Sequence, residues 1–183
     1  MRRMSISLAT FKRWLPLAFA VTFLFAFIYL LDQQDLRMGA NDPQVTIGIQ
    51  IFNSLEKGAS PALLVNSNSV DIAQSLSTYV LLYDKEGKPI AGNGLLDGTT
   101  PTPPKGVFDY LRTHGEDRFT WQPRVGVRQA MVAFYYGGTN PVYIFIGRSL
   151  QEVEVREDWL TRVTAGAWAT AISGSLFFSF VTS

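Results

Sequence analysis

Five side chains in the second half of the chain have the types and spacing to hold a small anionic molecule: Trp121, Arg124, Arg128, Tyr136 and Tyr143. A guanidinium is a planar fork that matches a carboxylate with two parallel hydrogen bonds. Aromatic rings supply the apolar walls from which ligand pockets are built. Arg128 and Tyr136 have the same parity in one strand-like segment, so both can face one side of its sheet. The same residues also fit a second reading, in which the rings pack a core and the arginines end strands in water. Tyr135 and Tyr136 cannot both point inward.

Other chemistries lack raw material. The chain has one histidine, His114, and no cysteine, which removes the usual zinc sites and the Ser-His and Cys-His pairs of covalent catalysis. His114 stands just before Gly115 at a helix C-terminus, where a cation is favoured by free carbonyls and the helix dipole. Asp84, Glu86 and Gly87 lack the ligand series of a calcium loop. Gly137-Gly138 has no phosphate-loop lysine and reads as a hairpin turn. The expectation is therefore a protein that is not an enzyme, with no cofactor and no metal.

Several elements must position the five residues. A helix is expected with Asn41 or Asp42 as its cap, Pro43 in its first turn, Val45, Ile49 and Phe52 on one face and Gly58 past its end. A short helical patch is expected around Asp71 to Leu76. Tyr79–Tyr83 and Pro89–Ala91 read as a hairpin whose turn puts Gly87 in the left-handed region. The proline-rich stretch 99–104 leads to a helix from Lys105 to His114. Three strands follow, Arg118–Trp121, Val127–Tyr136 and Val142–Arg148. This order gives an α+β fold with a five-stranded antiparallel sheet. YVLLY and VYIFI are apolar on both alternating faces, so both faces of the sheet must be covered.

The ends of the chain are apolar. Residues 14–31 carry no charge and are close to the roughly 20 residues that cross a hydrocarbon core. Arg2, Arg3, Lys12 and Arg13 precede this span, with no acidic residue before Asp32, which places the N-terminus in the cytoplasm and the main domain outside. A cleaved signal peptide is the rival, but no small-residue cleavage site follows directly. The remaining chain has 12 basic and 15 acidic residues, counted after those four cations, so no basic surface points to nucleic acid.

The second span, 163–183, carries two stripes of small residues. Gly166, Thr170 and Gly174 recur every fourth residue, beside Ala165, Ala169 and Ser173, and such a face lets helices pack closely in lipid. Ser149 and Glu152 form a capping box that starts a helix running without Gly or Pro into this span. The boundaries expected are a basic N-terminus 1–13, a span 14–31, an outer domain 32–148, a juxtamembrane helix 149–162 and a second span 163–183.

The segment Thr78–Trp159 contains YVLLYDKEGKPI in the hairpin, GVRQAMVA in the long strand and IGRSLQEVE at the strand-to-helix junction. It resembles the extracytoplasmic PAS-like (PDC or Cache) sensor domains of bacterial sensor histidine kinases, as does the arrangement of two spans around one domain. The resemblance implies a PAS-like sheet, a location in the bacterial inner membrane, a ligand cavity on the sheet side shared by Arg128 and Tyr136, and no enzymatic residue. Three readings follow. One is a membrane-anchored sensor that binds a small ligand and signals to a membrane-protein partner or a second copy. The others are a scaffold without a ligand and a sensor-kinase input region lacking its output.

Overall fold

The computed structural model describes residues 8–39 and 41–182; Arg2, Arg3 and Ser183 lie outside the described residues. The chain forms two compact units, Met1–Leu36 with Glu154–Ser183, and Arg37–Val153.

The second unit is an α+β domain. Its helices are α2 (Asp42–Glu56) and α3 (Lys105–His114), after α1 (Leu8–Gly39) and before α4 (Gln151–Val181). Its strands are β1 (Val70–Asp71), β2 (Tyr79–Tyr83), β3 (Pro89–Gly92), β4 (Gly94–Leu95), β5 (Glu116–Arg124), β6 (Val127–Tyr136) and β7 (Val142–Ser149). Five of these make one sheet in the order β3-β2-β7-β6-β5, with every neighbour antiparallel. The last strand, β7, thus lies at the centre, paired with β2 through Tyr79↔Gly147 and Tyr83↔Tyr143. β1 and β4 form a separate two-residue parallel pair.

Strand alternation divides the core into two layers. Even-numbered residues of the central strands, Val80, Leu82, Val132, Phe134, Ile144 and Ile146, pack with Ile51 and Leu55 of α2 in an aliphatic layer. Odd-numbered ones, Tyr79, Leu81, Tyr83, Met131, Ala133, Tyr143 and Phe145, pack with Phe108 and Leu111 of α3 in a mostly aromatic layer. All of β2 is buried, as expected for a strand apolar on both faces and covered on both.

Two local expectations need correction. The buried stripe of α2 is Gln44, Gly48, Ile51 and Leu55, whereas Ile49 is exposed and Val45 and Phe52 are half-buried. A glycine on that stripe is what lets α2 approach the sheet: a Cβ at Gly48 would overlap the Phe134 ring. Around Asp71 there is no helix but the β1–β4 pairing followed by a turn. The Asp71 carboxylate accepts the N–H of Ala73, and its carbonyl accepts those of Gln74 and Ser75. A short acidic side chain offers the backbone this alternative to a helix.

The first unit holds α1 and α4, both long and apolar enough to cross a membrane. They pair antiparallel. Trp14 Nε1 donates to Ser175 Oγ at 2.9 Å, Trp168 Nε1 donates to Thr22 Oγ1 at 3.0 Å, and the Tyr29 hydroxyl lies 3.1 Å from Thr161 Oγ1. Thr161 spends its own proton on the Glu157 carbonyl, so Tyr29 is the donor of the third bond. Helix α4 is continuous from Gln151, directly after β7, through Val181. At its start the Ser149 hydroxyl accepts the N–H of Gln151, and Glu152 takes the Arg148 guanidinium at 2.6 Å.

The stripe of Gly166, Thr170 and Gly174 is exposed, and no atom comes within 4 Å of a Cβ built at either glycine. The residues of α4 bonded to α1 are Thr161, Trp168 and Ser175. At 3.6 residues per turn these lie on a face of the helix turned away from the glycines.

Candidate functional site

The structure separates the five candidate residues. Trp121 and Tyr143 are buried in the aromatic layer, where the Tyr143 ring meets Phe108 edge-on at 5.0 Å and Tyr135 at 4.9 Å. Tyr136 is on the other side of the sheet, edge-on to Phe52 at 5.5 Å, and its hydroxyl donates to the Leu55 carbonyl. Arg128 has the same strand parity as Tyr136 and is exposed near the start of β6. Arg124, at the end of β5, holds Asp97 with hydrogen bonds of 2.6 and 2.9 Å. That grip secures a turn in which Asp97 itself adopts a positive φ of 51°. Position for position, the rings serve the core and the arginines serve the surface. Of the five, Tyr143 lines a cleft.

That cleft, of about 460 Å³, is bounded by the β2–β3 turn, the proline-rich loop, α3 and Tyr143. Each wall has a local cause. In the turn, the Asp84 carboxylate accepts the N–H groups of Glu86 and Lys88, and Gly87 takes φ 80°, so the chain reverses tightly and presents Lys85 and Glu86. The Tyr83 hydroxyl donates to the Pro101 carbonyl at 2.5 Å, tying the proline-rich loop to β2. Pro104, extended at φ −58° and ψ 145°, then launches α3. Phe108 plugs the floor of the cleft, edge-on to Tyr83 and Phe145.

The rim carries Lys85, Lys105 and Arg112 against Glu86 and Asp109. Arg112 pairs with Asp109 at 3.0 Å and Lys85 with Glu86 at 3.5 Å. Among the described residues Lys105 has no ion pair. It stands at the first position of α3, where the free N–H groups and the helix dipole already favour a negative charge. Burial pushes the Tyr143 phenol above its ordinary pKa, and Tyr135 and Asp109 add to the rise against the opposing pull of Arg112. The phenol is therefore neutral at neutral pH and is available to hydrogen-bond a ligand oxygen.

The cleft cations escaped the sequence reading because they come from a turn and a helix rather than from the strands that attract attention. The signal was present in α3: Lys105, Asp109 and Arg112 lie four and three residues apart, on the face away from Leu111. His114 ends α3 as expected, stacked on Tyr110 at 3.9 Å with Nδ1 beside Thr113 Oγ1 and the Tyr110 carbonyl. Among the described residues no cluster of His, Asp or Glu is arranged to hold a metal. None of the protein-family models, curated proteins or solved structures matches this chain.

Proposed function

We propose that this is a membrane-anchored, sensor-like protein of PAS-like architecture. Its α+β domain lies outside the cytoplasm, binds a small anionic ligand in the α3 cleft, and signals through α1 and α4 to a partner membrane protein. The observation that carries the reading is α4, one unbroken helix that starts directly after the central strand β7 and runs into an apolar segment. The ligand class follows from the cleft: three cations against two carboxylates, a neutral phenol, and a helix N-terminus with a lysine at its first position. The basic residues Lys12 and Arg13 ahead of the first apolar segment support a cytoplasmic N-terminus.

The test is thermal stability of the full chain in mild detergent with a panel of mono- and dicarboxylates, phosphate and sulfate. At least one anion is expected to raise the melting temperature. Arg112→Ala should abolish that shift, and Arg128→Ala, whose parity puts it on the α2 side of the sheet, should leave it intact. No shift with any anion favours the second reading, a scaffold that contacts proteins without a ligand. The burial of Trp121 and the use of Tyr136 in the α2 packing are the observations that favour it.

A further inference from the structure

The three bonds between α1 and α4 fix a register, and that register misaligns the charges. With Tyr29 opposite Thr161, Arg162 falls at the level of Ile28, one turn short of Leu31, where the uncharged stretch of α1 ends. With Trp14 opposite Ser175, Arg13 falls beside Leu176, in a stretch of α4 that stays uncharged through Val181. The slab free of charge on both helices therefore reaches only from Trp14 to Phe27 of α1, about 21 Å at 1.5 Å per residue. A hydrocarbon core is about 30 Å thick.

A shift of α4 by one turn toward the Asp32 end of the pair removes the conflict. Arg162 then stands level with Asp32, and the shared slab lengthens to Trp14–Leu31, about 27 Å. The hydrogen-bonding surface is repeated at that step. Ser179, half-buried like Ser175 and one turn beyond it, comes opposite Trp14, and Thr164 comes within one residue of Tyr29. Only the bond from Trp168 to Thr22 is lost without replacement, because Ile172 takes its place.

We propose that the α1–α4 pair has two registers one helical turn apart and that bilayer thickness selects between them, the present one in thin bilayers and the shifted one in thick bilayers. One-turn steps of one helix past another are an established kind of two-state element. The driving term is the cost of holding Arg162 within hydrocarbon, which grows as the bilayer thickens. The inference rests on the membrane reading of the two helices and is independent of any ligand.

The absence of cysteine makes the test clean. In the full chain, Ala18→Cys with Ile172→Cys reports the present register, and Ala18→Cys with Leu176→Cys reports the shifted one. Each pair is oxidised in phosphatidylcholine vesicles of short and of long acyl chains. The ratio of the second disulfide to the first is expected to rise about tenfold from short to long chains, since the mismatch cost accumulates over a full turn. An added Arg162→Gln should flatten that response. A disulfide from the first pair alone at every thickness, a ratio indifferent to thickness, or an unchanged response in Arg162→Gln would each overturn the two-register proposal while leaving the membrane reading standing. Failure of both pairs in every bilayer would overturn both.

Discussion

The two units of this chain use apolar side chains in opposite ways. In the sheet domain Phe145 is fully buried, packed edge-on against Tyr83, Phe108 and Phe119. In the helix pair Phe19, Phe23, Phe177 and Phe178 are all about two-thirds exposed or more, and the polar groups of Trp14, Thr22, Tyr29, Trp168 and Ser175 are turned toward the partner helix. The first arrangement is driven by removing apolar surface from water. The second suits a solvent as apolar as the side chains themselves, where association depends on close packing and interhelical hydrogen bonds. Composition alone averages the two and shows neither.

The contrast is broken most forcefully by truncating one ring in each unit. Phe145→Ala should cost about 3–5 kcal/mol, because a cavity opens among rings that cannot collapse. Phe19→Ala should cost under about 1 kcal/mol, since hydrocarbon or detergent refills the space as well as the ring did. Melting of the two variants in detergent checks both, and comparable losses would erase the distinction.

A second difference appears in alkali. Burial raises the phenol pKa of Tyr79, with a further contribution from Tyr83, and burial also raises that of Tyr83. An unfolded tyrosine ionises near pH 10, so above that point the unfolded chain releases protons that the folded domain retains. The stabilisation is fully present below about pH 10 and is lost as the pH rises toward the folded values, by up to about 1.4 kcal/mol per group per pH unit. Tyr79→Phe, which forfeits only a hydrogen bond to the Met131 sulfur, should make the alkaline fall shallower. An unchanged slope in urea titrations above pH 10 would contradict this.

The smallest effect runs the other way. Gln44 is fully buried on the sheet-facing stripe of α2, and neither polar atom of its amide has a hydrogen-bond partner. An unmet buried amide costs about 1–3 kcal/mol. Gln44→Met keeps the shape and removes that cost, so the midpoint of denaturant unfolding should rise, by about 1–2 kcal/mol in stability. A loss of stability would mean that the amide has a role in the fold.

Gln44 also shows why part of the fold was legible and part was not. Strand positions followed from runs such as YVLLY and VYIFI, whose β-branched and aromatic content fits a pleated surface, and the limits of β6 and α3 followed from Gly and Pro punctuation. The face of α2 did not, because hydrophobic periodicity points to Val45, Ile49 and Phe52 while the buried stripe contains a glutamine and a glycine. Glycine was chosen there for the approach of Phe134, a tertiary fact that no local pattern encodes. The separation of the five candidate residues was hidden for a related reason. Alternation placed Arg128 and Tyr136 on one side of the sheet, but it could not reveal that Tyr136 is used by α2. Nor could it foresee that Lys85, Lys105 and Arg112 would converge around Tyr143 from a turn and a helix. The register of α1 against α4 was equally hidden, because its three bonds join residues more than 130 positions apart in sequence.

The claim beneath all of this is that the outward rings of α1 and α4 face lipid, whereas exposed groups of the sheet domain face water. Two apolar residues test it directly. Phe23 and Val125 are 65% and 92% exposed, one on α1 and one at the β5–β6 turn. Phe23→Cys and Val125→Cys, each the sole thiol of the full chain, can be placed in lipid nanodiscs whose two faces both meet water, and then treated with a membrane-impermeant maleimide. The account predicts rapid labelling at position 125 and none at position 23 until detergent or denaturant strips the lipid away. Equal labelling of the two in intact nanodiscs would contradict it.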